Sequence, residues 1–205
     1  MFALPVSRTA VWAHPALRVV MNAFNGAEGV TRTRGVAVTT EWQKFVAEHP
    51  PRNGVPAGQG LPAGELLFRI PLAPERMTAS ASTFSLQVGP EGHVNALDLE
   101  NEMWVCMNHA CTPTASATIA VVDDVVDVSA AVDLAPGAAV TFDYNTTEAF
   151  LADPFTCSCG APSCVGSVAG YTTLSVDQRR ARPVVAPYLL ASSSSSPSST
   201  SSTSL

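Results

Sequence analysis

Three cysteines within eight residues constrain this chain more than any other feature of its sequence. Cys157, Cys159 and Cys164 lie in PFTCSCGAPSC, and Cys106 and Cys111 precede them. The total is odd and no secretory signal pattern is present, so a disulfide framework is not expected. Tetrahedral zinc needs four ligands, so Cys106 or Cys111 must complete a site with the three late thiols. Redox-active or purely structural thiols are the alternatives. Zinc would tie the middle of the chain to its C-terminal segment.

Charge is unevenly distributed along the chain. Of 205 residues, 46% are hydrophobic and 14% are charged, which predicts one domain with a hydrophobic core. Residues 77–178 hold twelve acidic residues and no lysine or arginine. No direct nucleic-acid binding is expected from such a segment, which favours a cationic partner, although solubility is an alternative explanation. No apolar run approaches the roughly 20 residues that span a bilayer, so no membrane partner is expected.

Short apolar runs separated by Gly, Pro or Asp predict a mostly β domain with minor helix. Asp123 and Asp124 between two runs predict a hairpin turn, and Pro136 with Gly137 predicts another. Leu97–Met107 has apolar residues at roughly helical spacing and predicts a helix. The expected strands are Leu17–Met21, Gly35–Thr39, Glu65–Ile70, Phe84–Val88, Ala117–Val122, Val125–Ser129 and Ala138–Phe142.

Both ends of the chain differ in composition from its middle. Residues 172–205 are predicted to be a C-terminal tail, rich in serine and disordered from about residue 191. Arg179, Arg180 and Arg182 just before the serines predict a solvated basic patch. Residues 1–13 are treated as an N-terminal extension and are a candidate for organelle targeting.

Two further segments carry polar and aromatic residues at chemically useful positions. NHACTPT at Asn108–Thr114 and AAVTFDYN at Ala138–Asn145 would each, taken alone, indicate local hydrogen bonding or core. In this order, together with the three late cysteines, they resemble SET-domain protein lysine methyltransferases with a cysteine-rich post-SET zinc module. The family patterns are NHSCxPN, ExLTFDYN and CxCxxxxC. Upstream, TRTRGVAVT at Thr31–Thr39 resembles the GxG turn, and LPAGELLFRIP at Leu61–Pro71 resembles the strand after it, with an insertion at about 40–60 between them.

The resemblance implies a fold, an activity and partners. The fold is a set of small β-sheets around a pseudoknot, with a SET domain over 14–150 and a post-SET module over 151–171. The activity is methyl transfer from S-adenosylmethionine to lysine side chains of a histone or non-histone protein, with one structural zinc ion. The expected partner is a protein with a lysine in a basic segment, and a monomer is expected. A nuclear or cytoplasmic location is favoured over secretion.

The resemblance also assigns roles to single residues. Tyr144 is implied to be the catalytic hydroxyl in the methyl-transfer channel, where its dipole lies beside the amine. Phe142 matches the channel position at which Phe leaves room for a methylated amine, which implies di- or trimethylation. Tyr171 is implied to be a further channel aromatic. Cys111 is implied to be the fourth zinc ligand, which leaves Cys106 as a buried thiol. The implied cofactor-binding residues are Arg34, Gly35, Asn108, His109, Phe155 and Val168.

Several positions depart from the family pattern. Thr33 stands where the first Gly of GxG is expected, Ala110 replaces Ser, and Thr114 replaces Asn. With the insertion, Thr33 favours an alternative function, namely a catalytically inactive SET-like zinc module that binds a partner protein or basic peptide. Binding of S-adenosylmethionine separates the two hypotheses.

Overall fold

The computed structural model of the chain describes residues 10–26, 29–38, 60–98, 102–112 and 116–192. Outside these ranges lie residues 1–9 of the predicted extension, the insertion up to residue 59, Thr114, and the serine tail from residue 193. Within the described part of the chain, no helix has the length and apolar character needed to cross a bilayer.

The described residues are mostly β-sheet with few helices, which confirms the predicted class, and each predicted strand overlaps an observed one. The strands are β1 (Trp12–Ala13), β2 (Leu17–Gly26), β3 (Gly29–Val38), β4 (Leu66–Pro71), β5 (Met77–Thr78), β6 (Ser85–Gln87), β7 (His93–Asn95), β8 (Asn108–His109), β9 (Ala117–Val122), β10 (Val125–Ala130), β11 (Ala139–Phe142), β12 (Phe155–Thr156) and β13 (Ser167–Val168). Short 3-10 helices cover Pro74–Arg76, Met103–Cys106, Tyr144–Thr146 and Tyr171–Thr173.

An antiparallel sheet in the order β1-β4-β10-β9 carries much of the hydrophobic core. Residues of β10 alternate between buried and half-buried, so Val126 and Val128 face the core. They pair with Ile70 and Phe68 of β4, and all four side chains are fully buried. The predicted hairpin joins β9 to β10, with Asp123 in the left-handed region at φ 53°.

A second sheet, in the order β2-β3-β11-β8, brings the two polar segments of the sequence together. Strand β11 runs parallel to β8, which sets Thr141 opposite Asn108 and Phe142 opposite His109. On its other side β11 pairs with β3. The site described below is therefore built at the ends of two adjacent strands. The pseudoknot stays a prediction.

The helix expected at Leu97–Met107 is replaced, in the described residues of that segment, by the short 3-10 helix Met103–Cys106. The buried Glu102 carboxylate accepts hydrogen bonds from Arg76 at 2.8 Å and from the Trp104 indole at 2.9 Å. Because this carboxylate anchors the chain just before Trp104, a tight turn buries Trp104, Cys106 and Met107, whereas Leu97 stays exposed. The prediction of a longer helix at this position was wrong.

The predicted tail contains two short helices, Val176–Arg180 and Pro187–Ser192. We call them the C-terminal helices. Leu189 is 1% exposed and packs with Tyr171 and Leu174 in a hydrophobic cluster of its own. The chain therefore packs on the rest of the domain well into the segment that was expected to be a tail.

Candidate functional site

The structure gathers four of the five cysteines. The sulfurs of Cys111, Cys157, Cys159 and Cys164 all lie within 4.8 Å of one another, and those of Cys111 and Cys157 are 3.9 Å apart. A tetrahedral zinc ion bound at about 2.3 Å sets its sulfurs about 3.8 Å apart. The number, type and spacing of the donors therefore fit zinc. Cys106 is buried outside this cluster.

Local hydrogen bonds hold the cysteine cluster in shape. The Cys157 amide donates to the Gly166 carbonyl at 2.6 Å, at the base of the β12–β13 hairpin. Burial raises the pKa of the Cys111 thiol and raises the pKa of Cys157 to about 12. At Cys159 burial also acts to raise the pKa, but hydrogen bonds from backbone amides, including that of Ala161, outweigh it and lower the pKa to about 7. A bound divalent cation would favour the thiolate at every ligand.

His109 connects the cysteine cluster to Tyr144. The backbone amide of Tyr144 donates to Nδ1 of His109 at 3.1 Å, so the proton of the neutral ring is on Nε2. That nitrogen lies 3.2 Å from Sγ of Cys111 and donates to it. Burial lowers the pKa of His109 to about 4, although the negative charge of Asp143 acts to raise it. The ring is therefore neutral at pH 7. The imidazole therefore acts as a bridge between the predicted metal ligand and the predicted catalytic residue.

A cavity of about 630 Å³ opens beside Tyr144. This volume is in the range of small-molecule sites. None of the described residues that line it is lysine, arginine or histidine, whereas Glu148 and Asp153 both contribute acidic groups. Aromatic walls with acidic groups favour a cation over an anion. The aromatic lining residues are Phe84, Trp104, Phe142, Tyr144 and Phe155.

Tyr144 stands in a group of aromatic rings. Its ring centroid lies 4.6 Å from that of Phe142, 5.2 Å from His109 and 6.0 Å from Phe155. The phenol donates a hydrogen bond to the Met107 carbonyl at 2.6 Å, which fixes the direction of the hydroxyl. Burial raises the pKa of Tyr144, so its oxygen carries the proton at neutral pH. The group is thus an oriented neutral dipole at the cavity wall.

Glu148 is a buried acid at the same cavity that the sequence interpretation did not include. It lies one turn after Tyr144, because its amide donates to the Tyr144 carbonyl at 2.9 Å. Its Oε1 accepts the backbone amide of Gln87 at 2.8 Å. Burial raises the pKa of the Glu148 carboxyl to about 7. The spacing of four residues from Tyr144 was the signal that could have identified it.

A buried ion pair next to the site was also not predicted from the sequence. Nε of Arg182 lies 2.8 Å from Oδ2 of Asp143, and both side chains are almost fully buried. Asp143 also accepts hydrogen bonds from the backbone amides of Thr112 and Asn145. The prediction that Arg182 belongs to a solvated basic patch is therefore wrong. This arginine is the counter-ion of Asp143 in the TFDYN segment.

The other predicted site residues lie at varying distances from the cavity. Arg34 and Gly35 are on β3, paired with Met21 and Val20 of β2. Val168 of β13 is fully buried and pairs with Phe155 of β12.

Asn108 and Phe155 line the cavity, and Phe155 is 38% exposed. Tyr171 is not among the described lining residues. It packs in the cluster of the C-terminal helices, with the Arg179 guanidinium 4.9 Å from its ring centroid. The structure brings together the predicted residues of the two polar segments and the cysteines. The backbone amide of Tyr171 donates to the Glu148 carbonyl at 2.8 Å, so this residue lies beside the same turn although its ring packs away from the cavity.

No protein-family model matches the chain. Over 111 residues it is 34% identical to the methyltransferase flvH of Aspergillus flavus, a match that covers 54% of this chain and 57% of that protein. The chain therefore spans less than two thirds of this relative. A crystal structure of KRYPTONITE in complex with mCHG DNA and SAH aligns with a TM-score of 0.40 and 17% identity, over 74% of this chain and 29% of that chain.

Proposed function

We propose that this protein transfers methyl groups from S-adenosylmethionine to lysine side chains of a protein substrate. The sequence similarity to a methyltransferase supports the reaction class. The resemblance of the NHACTPT, TFDYN and cysteine segments to SET-domain enzymes supports the fold family, the lysine acceptor and the zinc module.

The observation that carries the proposal is the chemistry of the cavity. Both reactants are cations before transfer, a sulfonium and a lysine ammonium, and the described lining is aromatic and acidic with no basic side chain. Free lysine has a pKa of about 10.4, so the site must also favour the neutral amine. Loss of water around the amine when it enters the cavity acts in that direction.

The chain's own residues have distinct tasks in this proposal. Asn108 and Phe155, which line the cavity, would contact S-adenosylmethionine, which when bound supplies an electrophilic methyl group. Tyr144 orients its hydroxyl dipole at the cavity wall through its bond to Met107. Phe142 offers no hydroxyl to hold a water molecule, which favours di- or trimethylated products.

The four cysteines would hold one structural zinc ion. Zinc would couple Cys111, two residues after His109 on the chain, to the module that carries Phe155 and thereby shape one wall of the cavity. Metal analysis should give one zinc per chain. Cys111→Ser should weaken zinc binding as strongly as Cys159→Ser, and Cys106→Ser should not.

Calorimetric titration with S-adenosylmethionine tests the enzyme proposal at its first step. No heat of binding at high protein concentration would contradict it and favour an inactive module. If binding is observed, Tyr144→Phe should lower methylation of a lysine-peptide array by about 100-fold or more, with cofactor affinity retained. Mass spectrometry of the array identifies the peptide and the number of methyl groups added.

A further inference from the structure

Glu148 is a buried acid of the cavity to which the proposed function above assigns no role. It is 8% exposed and lines the same cavity as Tyr144. One carboxylate oxygen, Oε1, accepts the Gln87 amide at 2.8 Å. The other, Oε2, is 3.9 Å from Nε2 of His93, beyond hydrogen-bond distance. A buried carboxylate that lacks an arginine or lysine among the described residues lining the cavity is costly for the fold.

We propose that Glu148 is a catalytic residue whose carboxylate binds the ammonium group of the substrate lysine and takes its proton. The inference rests on the proposed lysine methyltransferase function and names the group that prepares the amine. The N–H bond breaks, and its electron pair stays on nitrogen. The proton forms an O–H bond on Glu148 and then passes to solvent through the cavity. The step needs no oxidant or further reactant.

The surroundings of Glu148 suit a proton acceptor. Among the described residues, the titratable groups that face it are His93 of β7, Tyr144 of its own turn and Tyr188 of the second C-terminal helix. Burial lowers the pKa of His93, so none of the three supplies a cation at neutral pH. Because burial also raises the pKa of Glu148 to about 7, the carboxyl can both accept and release a proton near physiological pH.

The other acid of the cavity differs from Glu148 in a way that provides a control. Asp153 is exposed at the rim and accepts a hydrogen bond from Thr83. It can attract a cation but stands in water. If only the negative charge of the cavity mattered, Asp153→Asn and Glu148→Gln would have similar effects. If proton transfer matters, only the change at Glu148 alters the pH dependence.

A structural role alone would be preserved by glutamine. The amide oxygen of Gln at position 148 can still accept the Gln87 amide, so Glu148→Gln keeps the contact with β6 and removes only the charge and the ability to take a proton. Glu148→Asp keeps the charge on a shorter side chain and should restore part of the activity that the glutamine variant loses.

The first experiment does not depend on turnover. Protein with 13C-labelled glutamate carboxyls is titrated by NMR, and the Glu148 signal is assigned by its absence from Glu148→Gln. The signal should titrate near pH 7, since burial raises the pKa of this group to about 7. Saturating n-butylammonium should lower that midpoint by about one unit or more, whereas the neutral isostere n-butanol should not. Equal effects of the two probes, or none, would overturn the proposal.

The second experiment uses the full chain with S-adenosylmethionine and the best peptide of the array. Wild-type kcat/KM should rise with pH through an inflection near 7, as ionisation of Glu148 requires. Glu148→Gln should lose that inflection and about 100-fold in rate at pH 7.5, with cofactor affinity unchanged. Asp153→Asn should raise KM at low salt and keep the inflection.

The two proposals fail separately. An unchanged rate and pH profile in Glu148→Gln, in an enzyme that methylates lysine, would refute the role of Glu148 alone. Absence of lysine methylation by the wild type, with the n-butylammonium shift intact, would refute the proposed function and support amine binding by Glu148.

Discussion

The two sides of the molecule are stabilised by different kinds of interaction, apolar burial on one and polar contacts on the other. The sheet of β1, β4, β10 and β9 is held by fully buried apolar side chains such as Phe68 and Val126. The C-terminal side, from Asp143 to the C-terminal helices, buries few large apolar side chains. It contains instead three of the four clustered cysteines, the buried pair of Asp143 with Arg182, and polar hydrogen bonds such as that of the Gly170 amide to Asn145. Apolar burial is non-directional and spread over many contacts, whereas the polar side depends on a few groups that must all be in place. The cavity lies between the two sides, since Trp104, Met107 and Phe142 of the main hydrophobic core line it together with Glu148 and Phe155.

Removal of the proposed zinc ion should produce the largest difference in stability between the two sides. Structural zinc contributes about 10 kcal/mol or more to small domains, and here its proposed ligands join β8 to the β12–β13 hairpin. After chelation, amides of residues 155–168 should lose hydrogen-exchange protection while those of β4 and β10 retain it. Cofactor binding should be lost with the hairpin.

Cys106→Ser provides the matched control for the metal, because this thiol is buried outside the cysteine cluster. Its zinc content should equal that of the wild type. Uniform loss of protection over both sides after chelation would show that the two regions unfold as one unit.

Loss of the buried ion pair should have the next largest effect. Arg182→Ala leaves the Asp143 carboxylate buried without its cation, which costs about 3–5 kcal/mol. Arg180→Ala, two residues away, removes an exposed arginine whose pair with Asp177 is screened by water, and it should cost less than about 0.5 kcal/mol. Urea unfolding of both variants measures the difference. Equal values would mean that Arg182 does not compensate Asp143.

The apolar side of the fold could be predicted from the sequence, because alternation states directly which face is buried. Val125–Ser129 and Ala138–Phe142 were expected as strands and form strands β10 and β11. The helix expected at Leu97–Met107 failed because a tertiary contact, Arg76 with Glu102, overrides the local spacing. No local pattern contains that contact.

The polar side was predictable only where residues near in sequence converge. The spacing of Cys157, Cys159 and Cys164 predicts a metal site by itself. The choice between Cys106 and Cys111 as the fourth ligand required the family resemblance. Arg182 was assigned to solvent because its neighbourhood is polar and rich in serine. Its burial arises from a partner far away in sequence, Asp143. Long-range polar pairs leave no periodic trace in a single sequence.

The third largest effect on stability is expected from the ionisation of Glu148, which makes the free energy of unfolding depend on pH. Burial raises the pKa of this group from 4.5 to about 7, so between these values the folded state binds more protons than the unfolded state. The contribution of Glu148 to the free energy of unfolding is therefore fully present below pH 4.5, and it is lost as the pH rises through 7. The loss amounts to roughly 3 kcal/mol at most. Glu148→Gln should be more stable than wild type at pH 8 and similar at pH 4.5. Thermal unfolding at both pH values tests this, and a pH-independent difference would contradict it.

The smallest effect is expected at an ion pair on the apolar side. Arg69 of β4 makes two hydrogen bonds to Asp127 of β10, at 2.7 and 2.6 Å, so its geometry is better than that of Arg182 with Asp143. Arg69 is 39% exposed, however, and water solvates each partner when the other is removed. A double-mutant cycle should give a coupling of about 1 kcal/mol or less for this pair and several times more for Arg182 with Asp143. If the exposed pair coupled as strongly as the buried one, geometry rather than burial would determine these energies, and the distinction between the two sides would fail.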